Sequence, residues 1–121
     1  PTNEAINSAA DIAVKNKKCT TTIISDFVKA NPRVRKDVAE EILSNNWADQ
    51  YEIFTKLNLP KFMIAGDSDP SVNSLYLENV QKACKPNCTL IYFKNCGHYP
   101  SIEKPEEFIE MINIITEKVF I

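Results

Sequence analysis

Glycine is the residue that most restricts this sequence, because the chain of 121 residues has only two, Gly66 and Gly97. Glycines supply the positive-φ turns and the close backbone approaches that phosphate-binding loops and nucleophile elbows require. Two isolated glycines cannot build a G-x-G-x-x-G motif, a Walker loop or a G-x-S-x-G turn. The sequence therefore excludes nucleotide binding through a glycine-rich loop, and it holds no recognisable nucleophile elbow.

Charge and hydropathy exclude further classes of function. The formal net charge is −2, and 44% hydrophobic with 25% charged residues is ordinary for a globular domain. Such a chain has no strongly positive electrostatic potential that would attract nucleic acid or an anionic membrane surface. No apolar run approaches the roughly 20 residues that span a bilayer, and the N-terminus lacks a signal pattern. We therefore expect neither nucleic acid nor a membrane among its partners.

The four cysteines, Cys19, Cys84, Cys88 and Cys96, lack the paired Cys-x-x-Cys steps of a structural metal site. Because no secretion signal is present either, they are predicted to be reduced thiols in a cytoplasmic protein. The sequence starts at a proline rather than a methionine, which predicts that it begins inside a longer gene product or after processing.

The first half of the sequence shows only helical periodicity. Apolar residues recur at helical spacing in four stretches, residues 6–14, 23–28, 34–43 and 47–54. Asn31-Pro32 suits a helix N-cap followed by proline at the first helical position. We predict successive helices joined by short connectors, with no strand among them.

The second half alternates between strand and helix patterns. Residues 61–65 and 89–93 are short runs rich in apolar, β-branched and aromatic residues, as is typical of strands. Residues 74–84 and 105–119 carry apolar residues on one helical face, and Pro105 suits the first position of its helix. The order strand, helix, strand, helix predicts a right-handed crossover and a parallel strand pair.

A sheet of two parallel strands poses a physical problem, because parallel strands are buried on both faces and normally belong to larger sheets. The consecutive apolar residues from Phe62 to Ala65 predict helices on both faces and a further strand alongside. We therefore predict an α/β fold whose remaining strands come from an N-terminal part of the same protein or from a companion chain.

Residues with catalytic potential follow both predicted strands. Asp69 lies just beyond the first strand, and His98, which is the only histidine, follows Gly97 beyond the second. The carboxyl ends of adjacent parallel strands lie at one edge of a sheet, about 5 Å apart, so the two side chains are predicted to meet. The carboxylate would orient the imidazole and stabilise its protonated form, which leaves the other ring nitrogen as a general base.

Three segments of this half resemble, in order and in spacing, the C-terminal part of α/β-hydrolases. Leu59 to Pro70, LPKFMIAGDSDP, resembles the seventh strand and the acid loop of that family. Cys96 to Pro100, CGHYP, resembles its histidine loop, and Ser101 to Phe108, SIEKPEEF, resembles the entry to its last helix. The likeness covers about residues 58–120 and implies that Asp69 and His98 are the acid and the base of a catalytic triad.

The resemblance implies a division of the chain into two parts. Residues 1–57 would be the end of a helical cap with its connecting helix, and residues 58–121 the C-terminal strand-helix-strand-helix part of the hydrolase core. The nucleophile elbow and the oxyanion-hole loop lie upstream in this family and are absent from the sequence. The chain alone is therefore predicted to be inactive, and the nucleophile, whether Ser, Asp or Cys, to lie outside it.

The predicted function is that of a hydrolase acting on a small ester or a similar electrophile, with no cofactor or metal implied. Asp69 and His98 are the predicted catalytic residues, and Val72 and Tyr99, which neighbour them, are candidates to line the substrate pocket. The alternative is a non-catalytic interaction or structural module on the same scaffold. Asp69 would then be a helix-capping carboxylate and His98 a structural histidine.

Two neighbouring residues offer alternatives for the catalytic roles. Asp67 is the alternative acid, although a solvated or loop-bonding carboxylate is the simpler interpretation. Cys96 lies on the same side of an extended segment as His98 and suggests a thiol nucleophile. Small residues are usual at that position in the family, however, and predict a packing role for Cys96.

Overall fold

The first half of the chain is helical, as predicted. The computed structural model describes residues 1–45 and 47–120; Asn46 and Ile121, which fall within the two predicted parts of the chain, lie outside the described residues. Four α-helices occupy this half, with one short 3₁₀ turn at Lys17–Cys19: α1 (Asn3–Ala13), α2 (Thr20–Lys29), α3 (Pro32–Ser44) and α4 (Gln50–Lys56).

The second half alternates strands and helices, also as predicted. Its elements are β1 (Lys61–Gly66), α5 (Ser74–Ala83), β2 (Cys88–Phe93), α6 (Pro100–Glu103) and α7 (Pro105–Phe120). The strands pair in parallel with no slip in register, since Lys61 lies opposite Cys88 and Gly66 opposite Phe93. The one-turn helix α6 was not predicted, because four residues are too few to show a helical period.

Side-chain caps explain where two of the helices begin. The side chain of Asn31 accepts a hydrogen bond from the Arg33 N–H at 2.9 Å at the start of α3, as predicted. Asn73 accepts from the Tyr76 N–H at 3.3 Å at the start of α5. Each cap satisfies a backbone N–H that has no partner inside its helix. Because Asn73 caps α5, Asp69 does not have the capping role considered as its alternative.

The predicted fold class, the C-terminal part of an α/β-hydrolase fold, is wrong. Helices account for 62% of the described residues, which contain one sheet of only two strands. The chain is thus a small, mostly helical domain. The prediction gave too much weight to the apolar run from Phe62 to Ala65: Phe62, Met63 and Ile64 are only half-buried, so no further strand or layer encloses them within the described residues.

The core lies between the strand pair, α5 and α4. Val80, Cys84 and Cys88 are buried together, and Phe54 and Met63 pack against them. All four cysteines are free thiols, as predicted. Few of the described side chains are fully buried, so the hydrophobic core is small.

Lys61 is a buried cation at the start of β1, with only 7% of its surface exposed. Its Nζ donates hydrogen bonds to the carbonyl oxygens of Phe54 at 3.0 Å and Leu57 at 2.8 Å. These carbonyls lie at the C-terminal end of α4, where a helix leaves acceptors free and favours positive charge. The ammonium group therefore joins α4 to the sheet.

Two helices expose apolar side chains to solvent. On α3, Val34, Val38 and Ile42 are exposed, and on α7 both Ile109 and Ile112 are exposed. The described residues provide no cover for these faces, so the prediction that a further segment or a companion chain completes the structure stays a prediction. None of the helices that are described has the length and the apolar character needed to cross a membrane.

Candidate functional site

The loops that follow β1 and β2 touch through their backbones. The Ser68 N–H donates to the Cys96 carbonyl oxygen at 2.9 Å. A Cβ atom added to Gly66 would overlap the carbonyl oxygens of Cys96 and Gly97. The loop after β1 can approach the loop after β2 this closely only because residue 66 has no side chain.

Gly97, the second glycine, lies at the same contact between the two loops. A Cβ atom on Gly97 would overlap the Ala13 carbonyl oxygen and would lie only 2.8 Å from Oε1 of Glu103 and 2.9 Å from the Lys15 nitrogen. Both glycines of the chain therefore lie where the loops after β1 and β2 meet the end of α1. The scarcity of glycine excluded motifs, but no pattern in the sequence predicted this placement.

The structure brings Asp69 and His98 together. Nδ1 of His98 lies 2.8 Å from Oδ2 of Asp69, and the Asp69 side chain is only 5% exposed. Oδ1 of the same carboxylate accepts a hydrogen bond from the Ser71 N–H at 2.7 Å. Both carboxylate oxygens thus have partners, so the carboxylate is held in one orientation toward the imidazole. This is the geometry in which a carboxylate fixes the tautomer of a histidine.

The other ring nitrogen of His98 is available for chemistry. Nε2 makes no hydrogen bond within the described part of the chain, and the His98 side chain is 37% exposed. The Tyr99 ring meets the imidazole edge-on, with the ring centroids 4.9 Å apart and an angle of 82° between the planes. With its proton on Nδ1, facing the carboxylate, the imidazole presents Nε2 as a proton acceptor.

The backbone of His98 is anchored to the first helix. Its N–H donates to the Ala13 carbonyl oxygen at 2.7 Å, at the C-terminal end of α1. A helix end leaves such carbonyls without intrahelical partners, so this bond also terminates α1. The N-terminal half of the chain is thereby tied directly to the residue that carries the imidazole.

Glu103 is the residue of this site that the sequence analysis missed. It is a buried carboxylate, 8% exposed, on the one-turn helix α6. Oε2 accepts from the N–H groups of Lys15 and Asn16 at 2.8 Å each, and Oε1 accepts from the Gly97 N–H at 2.8 Å. Glu103 therefore clamps the segment after α1 against the residue that precedes His98. Its only sequence signal was its place in the segment that resembles the entry to the last helix of the hydrolases.

Replacing Glu103 with glutamine should destabilise this junction. The amide keeps the size of the side chain but substitutes an N–H donor for one acceptor oxygen, which leaves at least one buried backbone N–H unpaired. The expected loss is about 1–3 kcal/mol in the free energy of unfolding, measured by urea denaturation. Glu106→Gln, an exposed change in the first turn of α7, is the matched control. Equal losses in the two variants would contradict the clamp.

Asp67 bonds to the loops rather than to the imidazole. Its Oδ1 accepts from the Ser68 hydroxyl at 2.9 Å and from the Cys96 N–H at 3.3 Å. Backbone hydrogen bonding from Asn95, with a further contribution from Ser68, lowers the pKa of the Asp67 carboxyl below its ordinary value. These contacts agree with the loop-bonding interpretation of Asp67 and give it no contact with His98 among the described residues.

Cys96 is fully buried, with 0% of its surface exposed. Burial, followed by the nearby negative charge of Glu103, raises the pKa of the Cys96 thiol to about 11. A nucleophilic cysteine needs an accessible thiolate, whereas this thiol is enclosed and protonated at neutral pH. The packing role is therefore favoured over the nucleophile.

The raised pKa of Cys96 predicts a measurable loss of stability at high pH. The folded state holds this proton up to pH about 11, whereas an unfolded cysteine releases it near pH 9. The stabilising contribution is therefore complete below pH 9 and is lost as the pH rises toward 11. The unfolding free energy of the wild type should fall more between pH 8 and 11 than that of Cys96→Ala. Equal decreases would contradict a raised pKa.

The two predicted pocket residues differ in their placement. Tyr99 lies in the wall of an apolar cavity of about 230 Å³ between α1 and α2. Val72 is half-buried and does not line that cavity. A larger, more polar cavity of about 580 Å³ adjoins Glu103 and the start of α7, but neither Asp69 nor His98 lines it.

Comparison with known proteins gives a likeness of fold. No family model matches the sequence, and neither does any curated protein. Among solved structures, the chain is similar to a membrane phospholipase A, described as a novel bacterial virulence factor, with a TM-score of 0.75 and 19% identity. The match takes in 98% of this chain and 39% of the other, so the chain spans about two fifths of that protein's length. The loop motifs' resemblance to α/β-hydrolases stays a prediction.

Proposed function

We propose that the chain supplies the acid and the base of a hydrolase active site that acts on a carboxylic ester or a similar electrophile. Asp69 orients His98 through Nδ1, and Nε2 of His98 is the general base. The nucleophile, a serine hydroxyl in this proposal, lies outside the chain. The observation that carries the proposal is the 2.8 Å contact between the imidazole and a carboxylate that is only 5% exposed.

The proposed reaction assigns one proton path to the imidazole. As the serine oxygen attacks the carbonyl carbon of the ester, its proton passes to Nε2 of His98. Asp69 stabilises the imidazolium, which then gives the proton to the leaving alkoxide, so that the acyl group stays bound to the serine oxygen. A water molecule, whose proton passes to Nε2, then attacks this acyl group, and the acid and the reprotonated serine are released.

The fold likeness agrees with this proposal at a coarse level. A phospholipase A is a hydrolase, so a hydrolytic role for this chain is compatible with the protein whose fold it shares in part. The chain corresponds to 39% of that protein, which leaves most of its length to contribute other groups. This agrees with a nucleophile that lies outside residues 1–121.

A fluorophosphonate probe, which reacts with base-activated serines, tests the proposal. The material should be the protein as isolated from its source, with its intact mass measured to identify any segment or chain that accompanies these residues. We expect the probe to label a serine outside residues 1–121, and we expect His98→Ala to abolish the labelling. The chain of 121 residues alone should stay unlabelled.

Two outcomes would count against the hydrolase. Absence of labelling in the intact material would favour the non-catalytic module, in which the pair has a structural role. Labelling that persists in His98→Ala would remove the imidazole from the activation step.

A further inference from the structure

We propose that Glu103 is a positioning residue for His98, whose imidazole it holds against Asp69 by fixing the backbone on both sides of His98. This inference rests on the proposed function of Asp69 and His98, and it adds to their reaction a residue that acts through the backbone rather than on the substrate. Three observations carry it: the hydrogen bonds that Glu103 makes around His98, the backbone donors that converge on its carboxylate, and the contacts that hold the same loop to its neighbours.

Glu103 is bonded to both chain neighbours of His98. Its Oε1 accepts a hydrogen bond from the Gly97 N–H at 2.8 Å, and its own N–H donates to the Tyr99 carbonyl oxygen at 2.9 Å. The segment 97–103 is thereby closed on itself, with His98 inside it. These two bonds fix the residues that precede and follow the one that carries the imidazole.

The helix that carries Glu103 is too short to hold this segment by itself. Helix α6 has a single turn, Pro100–Glu103. A helix of one turn is not stable in isolation, because its formation fixes the dihedral angles of several residues for one hydrogen bond. The conformation of the segment 97–103 therefore depends in large part on the Glu103 carboxylate and its partners.

Three backbone donors converge on the Glu103 carboxylate. Besides the Gly97 N–H on Oε1, the N–H groups of Lys15 and Asn16 donate to Oε2 at 2.8 Å each. The residue is only 8% exposed, so water has little access to replace a lost acceptor. An ionised carboxylate has two acceptor oxygens and no donor, and it is the one side-chain group of this size that can serve all three donors.

The loop that carries His98 is held from two sides. On one side the His98 N–H donates to the Ala13 carbonyl oxygen at 2.7 Å, next to the segment that Glu103 binds. On the other side the Ser68 N–H, in the loop after β1, donates to the Cys96 carbonyl oxygen at 2.9 Å. Loss of the Glu103 bonds weakens the first attachment, so the imidazole can then move away from the acid of the pair.

Glu103→Gln tests the proposal in the protein as isolated, with any segment or chain that accompanies these residues. If the amide oxygen faces the two donors Lys15 and Asn16, the amide nitrogen faces the Gly97 N–H, and two donors repel each other. The expected result is a decrease of about 10²-fold in kcat, because a misplacement of about 1 Å at a catalytic group has an effect of that size. KM should change little, since the variant alters the placement of the base. The measurement is the initial rate of hydrolysis of p-nitrophenyl acetate.

Lys61→Met is the matched control for a loss of stability. Lys61 is also buried and also holds two segments together, because its Nζ donates to the carbonyl oxygens of Phe54 and Leu57. It lies at the start of β1, at the opposite end of the strand from the loops that carry the site. The folded control should therefore keep its kcat. Equal decreases of kcat in Lys61→Met and Glu103→Gln would overturn the positioning role.

The proton between Nδ1 of His98 and Asp69 provides a readout that needs no nucleophile. A proton in such a bond gives a ¹H NMR signal far downfield of the amide region, and exchange with water removes the signal when the bond is loose. The wild type should show this signal and Asp69→Asn should lack it. We expect Glu103→Gln to lose it and Lys61→Met to keep it. If Glu103→Gln does not fold, Glu103→Asp keeps the charge but is one methylene too short to reach both sides, and it should also lose the signal.

The positioning role and the hydrolase fail separately. Loss of the downfield signal in Glu103→Gln, with no labelled serine in the wild type, would support the placement of His98 by Glu103 and count against the hydrolase. Serine labelling at the wild-type rate and an unchanged signal in Glu103→Gln would support the hydrolase and overturn the role of Glu103. Absence of the downfield signal from the wild type would refute a fixed pair and, with it, the positioning role.

Discussion

Replacing His98 with alanine is expected to lower kcat by a factor on the order of 10⁶ in the protein that also carries the nucleophile. Loss of the catalytic histidine of subtilisin has an effect of that size, because attack and proton delivery both pass through the imidazole. KM should change little, because the imidazole acts in proton transfer and not in holding the bound ester. The measurement is the initial rate of hydrolysis of p-nitrophenyl acetate.

The folding of the His98 variant must be checked separately. Removing the ring leaves the Asp69 carboxylate without one partner but keeps its hydrogen bond from Ser71. We expect a decrease of about 1–3 kcal/mol in unfolding free energy, too small to explain a loss of activity of this size. Lys94→Ala, an exposed change just after β2, is the control for handling and folding. Activity retained in the His98 variant would exclude it from the mechanism.

Replacing Asp69 with asparagine is expected to lower kcat by about 10⁴, the loss seen when the acid of a serine-protease triad becomes an amide. The amide keeps the shape of the side chain but no longer provides an anionic acceptor for the Nδ1 proton. The tautomer that exposes Nε2 as a base is then less populated, and the imidazolium loses its stabilising charge.

Asp67→Asn distinguishes the role of Asp67 from that of Asp69, since both carboxylates lie in the loop after β1. It makes the same chemical change two positions away, on a side chain that bonds to Ser68 and Cys96 and not to the imidazole. Its effect on kcat should be far smaller than that of Asp69→Asn. Equal effects would make Asp67 as good a candidate for the acid as Asp69.

Most of the local structure could be predicted from the sequence, because it depends on residues close together in the chain. Helical periodicity predicted the four N-terminal helices, and Asn31 caps α3 as predicted. The parallel pairing of the two strands followed from the helix between them. Parallel pairing then brings both loops to one edge of the sheet, so the meeting of Asp69 and His98 also followed from the order of elements.

The fold class could not be predicted in this way. An apolar run such as Phe62 to Ala65 has the same pattern in a sheet enclosed on both faces and in a half-exposed strand. Local pattern reports the conformation of a segment but not how many further strands or layers surround it. The balance of 62% helix and two strands emerges only when all elements are placed together.

The sequence by itself thus determined the helices longer than one turn, the strands and the pair of titratable side chains, since period, caps and strand order act over short distances along the chain. Only the tertiary structure decided the clamp by Glu103, the contact of α1 with His98 and the cavity beside Tyr99. These features join segments that lie far apart in sequence. Their partners are chosen by packing and by the need to satisfy buried backbone groups, which no local pattern records.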